Sequence, residues 1–250
     1  MTVKATYPSL VGATVLITGG ASGIGAEMVR KFSEQDARVG FVDFDVVGSA
    51  AIADETGAIF ETADLRDVQA LKTAFANLIA NLGAPKVLVN NAARDDRHGW
   101  ENVDEAYYDE RIATNLKHMF FATQACAPAM IAAGRGGSIV NMGSNSWWEA
   151  SGGMPVYTTA KSAVHGMTRS FARDLGPHRI RVNTVVPGWI MTERQKELWV
   201  TEEALARHLS NQCTPDPIEP GEVAEMVLFL ASDAASACTA NNFFVEAGSV

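Results

Sequence analysis

A tyrosine and a lysine four positions apart, Tyr157 and Lys161 in "YTTAK", have the types and spacing for proton transfer. On a helix, this spacing places both side chains on one face. A phenol has a pKa of about 10 in water, and a neighbouring ammonium group lowers it by favouring the phenolate. Tyr157 could then take a proton from an alcohol or return one to a carbonyl. Ser144 could hold the reacting oxygen. The alternative is a solvent-exposed pair without a chemical role.

A glycine-rich stretch, "TGGASGIG" at 18–25, leaves a predicted strand and enters a predicted helix. Gly19 permits a tight turn, while Gly23 and Gly25 let the backbone approach a pyrophosphate. The start of the helix then offers free N–H groups and the positive end of its dipole to phosphate. Glycine-rich turns are common, but this position between a strand and a helix predicts a dinucleotide site.

An acidic residue, Asp43, ends the second predicted strand, 18 residues beyond Gly25. Its carboxylate can accept hydrogen bonds from both ribose hydroxyls of an adenosine and would repel a 2′-phosphate, which favours NAD over NADP. Ser22 and Phe44 offer no cation for such a phosphate, and Arg38 lies at the wrong end of the strand. The alternative role of Asp43 is to cap the following helix.

The elements that must position these residues alternate between short β-branched runs and longer amphipathic stretches. Strand–helix–strand alternation predicts an α/β fold: a single-domain, Rossmann-type, doubly wound parallel sheet of about seven strands with helices on both faces. The domain spans residues 1–250. The predicted strands are 13–18, 38–43, 58–62, 86–90, 137–142, 180–187 and 241–246.

Polar residues follow the third and fourth predicted strands, at the edge of the sheet where ligands bind in such folds. Asp64 could accept from the amino group of an adenine, with Leu65 on the ring face; by itself this pair predicts only a helix cap. The stretch "NNAARDDRHGW" at 90–100 follows the fourth strand. A run of this kind is usually a solvated loop, and its role depends on whether this edge carries the site.

Composition excludes several classes of protein. The chain has 250 residues, 47% of them hydrophobic, and a net charge of −9. An acidic chain is a poor ligand for nucleic acids and anionic membranes. Cys126, Cys213 and Cys238 show neither disulfide nor zinc spacing, so we expect reduced, buried thiols and no metal. No signal peptide or membrane span is evident, which predicts a cytoplasmic protein.

Together, these motifs make the chain resemble the short-chain dehydrogenase/reductase family along essentially its whole length. The resemblance implies that Tyr157 is the general acid/base and that Lys161 lowers its pKa and binds the nicotinamide ribose. It further implies that Ser144 orients the substrate and that Asn115 holds a water in a proton relay to Lys161. Members are usually homotetramers in which the long fourth and fifth helices pack between subunits.

The resemblance also implies a set of NAD contacts. Within "PGWIMT" at 187–192, the backbone of Ile190 and the hydroxyl of Thr192 would hold the carboxamide. The implied cofactor-binding residues are Gly19, Ser22, Gly23, Ile24, Gly25, Asp43, Asp64, Leu65, Asn91, Tyr157, Lys161, Pro187, Ile190 and Thr192.

Two departures from the family pattern concern glycines. Ala93 stands where "NNAG" is usual, and we expect the methyl to be tolerated only if φ is negative. "EAG" at 246–248 stands where "DGG" is usual, with little effect expected on the chemistry. A third departure, a segment before the last helix rich in Trp, Glu and Arg, bears on the substrate.

A narrower resemblance is to the NAD-dependent aldose 1-dehydrogenases of the family, through "NNAARDDRH", "GSNSWW" and "PGWIMTERQ". A cyclic sugar needs hydrogen-bonding partners for its hydroxyls and an aromatic face for its C–H groups. The predicted substrate contacts are Ser144, Asn145, Glu149, Tyr157, Arg94, Asp95 and Trp189, with Trp148 and Arg194 near them. Asp96, Arg97 and His98 are interpreted as a structural salt-bridge network instead.

Two alternatives stay open at this point. The chain could oxidise another secondary alcohol of the 3-oxoacyl, steroid or dihydrodiol type, although a polar pocket argues against an apolar substrate. It could also be a non-catalytic NAD-binding relative, although such proteins typically lose the tyrosine or the lysine.

Overall fold

The structure of the protein is a computed structural model that describes residues 5–249. Within this range, seven strands form one sheet, and each lies within one residue of its predicted bounds at either end. They are β1 (Thr14–Thr18), β2 (Arg38–Asp43), β3 (Ile59–Thr62), β4 (Val87–Asn90), β5 (Gly137–Met142), β6 (Ile180–Pro187) and β7 (Asn242–Val245).

All strand pairs are parallel, in the order β3-β2-β1-β4-β5-β6-β7. The order reverses between β1 and β4, where a crevice opens outside the carboxyl ends of the strands. The register aligns these ends, since Thr18 pairs with Asn90 and Asn90 with Asn141. The predicted doubly wound sheet is confirmed.

Nine α-helices of the described chain cover the two faces of this sheet or border its upper edge. They are α1 (Gly23–Ser33), α2 (Val46–Thr56), α3 (Val68–Leu82), α4 (Glu105–Ile112), α5 (His118–Ala133), α6 (Pro155–Leu175), α7 (Glu193–Leu198), α8 (Glu202–Ser210) and α9 (Pro220–Ala231).

The strands are apolar on both faces because each face has its own core. One core packs α1 and α9 on the sheet, around Phe32 and Val227. The other packs α3, α5 and α6, around Phe75 and Met130. Strands buried on both sides lack the alternation of half-exposed strands, as the continuous apolar runs predict.

A π-helical turn, Ala113–Lys117, joins α4 to α5 without a break. Such turns are rare and are frequent at functional sites. Asn115, predicted to take part in a proton relay, lies fully buried in this turn.

The three thiols are free but differ in burial, which partly corrects the prediction from sequence. Cys126, on α5, is buried in the core, whereas Cys213 is exposed and Cys238 is half-buried. Cys213 follows α8 in a surface loop, which the spacing of cysteines along the chain does not reveal. No helix within residues 5–249 combines the length and apolarity needed to cross a membrane.

Candidate active site

A cavity of about 710 Å³ opens at the carboxyl ends of the central strands. Its inner part lies between the glycine-rich turn, the end of β5, the start of α6 and the loop after β6. Its outer part is closed by the loop after β4 on one side and by α7 and α8 on the other. The sheet topology therefore gathers residues that are far apart in sequence.

Tyr157 lies in the first turn of α6, and Lys161 follows one turn later, so the predicted helix face is confirmed. The Lys161 side chain is only 2% exposed. Its ammonium group donates to the carbonyl of Met142 at 2.8 Å and lies 5.7 Å from the centroid of the Tyr157 ring. Both residues line the cavity, and the alternative of a solvent-exposed pair does not hold.

The pKa of Tyr157 departs from the sequence prediction. Burial raises the tyrosine pKa above its ordinary value, and the negative charge of Asp95 raises it further, while a hydrogen bond with Ser144 acts against this shift. Burial also lowers the pKa of Lys161 to about 7, against the attraction of Asp95. Lys161 is not among the causes of the Tyr157 shift, so its predicted lowering of the tyrosine pKa stays a prediction. Near neutral pH, desolvation leaves the lysine only partly charged and so removes much of its effect.

Ser144 directly follows the end of β5, in extended conformation. Its hydroxyl accepts from the backbone N–H of Ser146 at 3.2 Å and donates to the Ser146 hydroxyl at 3.1 Å. The Ser144 side chain also acts on Tyr157, whose pKa it lowers. This arrangement fits the predicted role of holding the reacting oxygen.

The Asn115 side chain ties the loop after β4 to the helix below it. Its amide oxygen accepts from the backbone N–H of Arg94 at 2.8 Å, and its amide nitrogen donates to the carbonyl of Arg111 at 2.9 Å. Nearby, the imidazole of His118 donates to the carbonyl of Ala92 at 2.8 Å. Burial, aided by Lys161, lowers the pKa of His118 to about 3, so this imidazole is neutral.

In the glycine-rich turn, two parts of the backbone approach each other closely. A side chain at Gly25 would place its Cβ 1.7 Å from the carbonyl oxygen of Gly19, so only glycine fits there. Asn91 donates from its amide to the carbonyls of Thr18 and Gly19, at 3.1 and 2.9 Å, and so fixes the turn. Ser22 precedes α1 without a side-chain cap, which leaves N–H groups free for a phosphate.

Asp43 occupies the predicted place at the end of β2, but it is not a helix cap. Its carboxylate accepts from the N–H groups of Ala21 and Asp45, both at 3.0 Å. Asp45 itself caps α2. Arg38 lies at the opposite end of β2 and donates to the carbonyl of Gly12. The place of Asp43 at the end of β2 therefore fits the ribose of a dinucleotide.

Other predicted cofactor contacts have partners within the chain. Asp64 pairs with Arg66 at 2.6 Å, and this hydrogen bond lowers the pKa of Asp64. The hydroxyl of Thr192 caps α7 by accepting from Gln195 N–H at 3.3 Å. The inner part of the cavity is lined by Ile24, Asn91, Pro187, Ile190 and Thr192 from the predicted set.

Two predicted substrate contacts meet in the outer part of the cavity through one glutamine. Asp95 accepts from the amide of Gln195 at 2.7 Å, and the indole N–H of Trp189 donates to the oxygen of the same amide at 2.8 Å. On the other wall, Asn145 donates to Glu149 at 2.6 Å. All five side chains line the cavity. Gln195 was missed in the sequence because a single glutamine on a short helix carries no pattern.

Arg94 and Arg194, by contrast, are not among the cavity-lining residues. Both pair with Asp96, Arg194 at 2.6 Å and Arg94 at 3.4 Å, and Arg111 joins the same carboxylate at 2.6 Å. Asp96 pairs with the Arg94 guanidinium away from the cavity, and Arg94 as a substrate contact stays a prediction. The interpretation of Asp96 as structural is confirmed.

Trp148 and Arg97 lie in places opposite to those predicted. The sequence placed Trp148 near the substrate and Arg97 in a structural salt-bridge network. Trp148 is exposed and packs against Phe244, at 5.8 Å between ring centroids, outside the cavity. Arg97 lines the cavity, with its guanidinium 5.5 Å from the Trp199 ring. Five lining residues that sequence reasoning missed lie on or beside α8: Trp199, Ala204, Arg207, His208 and Asn211. Within residues 5–249, no group of three or more His, Cys, Asp or Glu side chains is arranged to hold a metal ion.

Comparison with known proteins identifies a family and relatives of this chain. Residues 19–249 match a family model described as "Enoyl-(Acyl carrier protein) reductase". The chain is 46% identical to a D-xylose 1-dehydrogenase of Caulobacter vibrioides, over 98% of each chain. It is 45% identical to the "Probable galactose dehydrogenase GalD" of Rhizobium meliloti (strain 1021), over 97% of this chain and 96% of the relative.

A solved structure shows the same likeness in three dimensions. The aldohexose dehydrogenase of Thermoplasma acidophilum, in ligand-free form, superposes with a TM-score of 0.88 at 27% identity, covering 97% of this chain and 95% of that one. A family match over most of the chain, together with relatives above 40% identity over nearly full length, settles its membership. The chain belongs to the short-chain dehydrogenase/reductase family.

Proposed function

We propose that the protein is an NAD-dependent aldose 1-dehydrogenase, which oxidises the anomeric hydroxyl of a cyclic sugar to a lactone. The observation that carries this proposal is the outer part of the cavity, where Asp95, Gln195 and Trp189 face Asn145 and Glu149. Each sugar hydroxyl loses water on binding and needs a partner, and an indole face suits the C–H groups of the ring. An apolar substrate would displace water from these polar groups without offering hydrogen bonds in its place, which is unfavourable.

In this proposal, the residues of the chain take the following roles. Ser144 holds the anomeric oxygen, and Tyr157 removes its proton as C1 loses a hydride. Lys161 holds the ribose of the cofactor next to the tyrosine. Asn115 contributes a water position in a relay that carries the proton towards solvent. NAD, when bound, supplies the hydride acceptor.

The choice of NAD over NADP rests on Asp43. Its carboxylate stands at the end of β2, and neither Ser22 nor Phe44 beside it is a cation. A 2′-phosphate at this place would meet a negative charge with nothing to balance it. NADP reduction at a rate comparable with that of NAD would contradict this part of the proposal.

We further propose a cytoplasmic homotetramer, as the family resemblance implies. The segment 105–133 and α6 are the long fourth and fifth helices expected between subunits, and on this face Phe120 is exposed and packs on Phe171 at 5.2 Å. Light scattering tests the assembly: a mass of one 26.7 kDa chain would contradict it.

The experiment that tests the proposed function is NAD reduction, followed by absorbance, with a panel of aldoses. A steroid alcohol, a dihydrodiol and a 3-hydroxyacyl ester serve as comparison substrates. Turnover of one aldose, or of a small set related by stereochemistry, is the expected result. No activity on any aldose, together with turnover of an apolar alcohol, would contradict the assignment of a sugar substrate. NAD binding without turnover of any substrate would indicate a non-catalytic relative.

A further inference from the structure

The start of α6, the helix that carries Tyr157, is capped by another part of the chain. Met154, in the capping position, makes no side-chain capping bond, and Pro155 has no N–H to offer. The N–H of Val156 donates instead to Nε2 of His98, at 3.2 Å, from the loop after β4. Since a helix leaves its first four N–H groups without internal partners, such an acceptor stabilises its first turn.

The contacts of His98 fix which ring nitrogen carries the proton. Nδ1 lies 2.9 Å from the carbonyl oxygen of Asp96 and 2.9 Å from the hydroxyl of Tyr107. A carbonyl only accepts, so Nδ1 bears the hydrogen; a backbone N–H only donates, so Nε2 bears the lone pair. Both contacts require the same neutral tautomer.

Protonation of His98 is incompatible with this arrangement. It would place a hydrogen on Nε2 that points at the Val156 N–H. It would also bring a positive charge to the positive end of the α6 dipole. Histidine is the side chain that ordinarily changes charge between about pH 5 and 8. The cap is thus present only while the imidazole is neutral.

The groups around His98 support a fixed position for the ring. The backbone N–H of His98 donates to the carbonyl of Gly153 at 2.8 Å. The imidazole packs edge to face on the Tyr107 ring, at 5.0 Å between ring centroids. The titratable and charged groups that face it are Asp96 and Arg97 on its own loop and Tyr107 and Arg111 on α4. Asp96 pairs with Arg111 at 2.6 Å and also with Arg94 and Arg194, and residues 153–156 bring no titratable side chain.

We propose that neutral His98 is a positioning residue: through Val156 it holds the first turn of α6, and with it Tyr157, in place for proton transfer. Proton transfer requires the tyrosine oxygen within about 2.6–3.2 Å of its partner, and a misplacement of about 1 Å can lower the rate about 100-fold. Protonating His98 releases this turn and lowers turnover in acid. The effect on turnover rests on the proposed function, whereas the effect on Val156 does not.

Two measurements on the full-length protein test the proposal. The first follows the imidazole signals and the Val156 amide by ¹⁵N NMR across pH, without substrate, with His98→Gln assigning the His98 signal. We expect the Val156 amide to titrate with the midpoint of His98. The second follows kcat against pH: it should fall on the acid side at that same midpoint, with little change in KM for the cofactor, which His98 does not touch.

Variants separate positioning from simple stabilisation. His98→Ala should lower kcat by up to about 100-fold. His98→Gln offers a side-chain oxygen to Val156 that does not titrate, so it should retain more activity and lose the acid step. The matched control is His178→Gln, at an exposed histidine after α6, which should keep the acid step.

The proposal is overturned if the Val156 amide ignores the titration of His98, or if His98→Gln keeps the acid step at the same midpoint. Lower thermal stability with an unchanged kcat–pH profile would also overturn it, since His98 would then be structural only. If no aldose is oxidised but Val156 follows His98, the proposed function fails while the link from His98 to the catalytic helix is supported. In that case kcat is measured with whichever alcohol of the panel is oxidised.

Discussion

Lys161 and Tyr157 share a helix face, but the hydrogen bond of Lys161 goes elsewhere: its ammonium group binds the carbonyl of Met142 at 2.8 Å and stays 5.7 Å from the centre of the tyrosine ring. Burial moves the two pKa values apart, lowering that of the lysine to about 7 and raising that of the tyrosine. Both shifts favour the uncharged forms. Burial therefore works against charge on both side chains in the protein alone, and four experiments follow from the surroundings of the pair and from the neighbouring loops.

Replacing the general base tests its role directly. Tyr157→Phe keeps the ring but removes the proton acceptor, so we expect kcat to fall by about 10²–10⁴-fold or more while NAD binding persists. Activity is measured by NAD reduction and binding by calorimetry. Tyr108→Phe, at an exposed tyrosine on α4, is the control and should leave both unchanged. More than about a hundredth of the activity in Tyr157→Phe would contradict the assignment.

The charge of Asp95 is expected to add to the effect of burial on the ionisation of Tyr157. Because Asp95 raises the tyrosine pKa, Asp95→Asn should lower it, so that the phenolate forms at a lower pH. The ultraviolet absorbance of phenolate, taken as the difference between Asp95→Asn and Asp95→Asn/Tyr157→Phe, measures this shift. Asp96→Asn changes the adjacent carboxylate, which faces arginines instead, and should leave Tyr157 as it is. An equal shift in both variants would rule out a specific effect of Asp95.

Burial of Lys161 is expected to make stability depend on pH. Its pKa is about 7 in the folded protein and 10.5 ordinarily. Between these values the unfolded chain binds a proton that the folded one does not, so stability rises with pH in this window. Compared with Lys161→Met, the wild type should gain up to about 1.4 kcal/mol per pH unit, as measured by urea unfolding. The exposed Lys117→Met is the control, and a pH-independent difference for Lys161→Met would refute the expectation.

Two alanines that stand where the family usually has glycine should respond to glycine in opposite ways. Ala247 has a φ of 58°, a left-handed conformation that costs a residue with Cβ about 1–2 kcal/mol. Ala93 has a negative φ, as predicted. We therefore expect Ala247→Gly to raise the free energy of unfolding by up to about 1 kcal/mol, and Ala93→Gly to lower it by about 0.4–1 kcal/mol. Thermal unfolding of the two variants measures this, and a loss of stability in both would show that Ala247 is not strained.

The sequence by itself determined the sheet, the glycine turn, and the places of Asp43, Ser144, Tyr157 and Lys161. Strand and helix periods are local, and residues at strand ends share one edge whenever the strands are parallel. Family resemblance then supplied roles that spacing alone does not give. These predictions agree with the structure because each feature depends on a few residues close together in the sequence.

Only the tertiary structure decided what the loop after β4 does. The sequence alone does not distinguish the charged residues of this loop. In the structure, Asp96 pairs with Arg94 and Arg194 outside the cavity, while Arg97 lines it. The partners that settle these choices lie about a hundred residues away on α7, where Gln195 also meets Asp95. Burial acts in the same way on Tyr157, because desolvation depends on everything packed around a group and not on its neighbours in sequence.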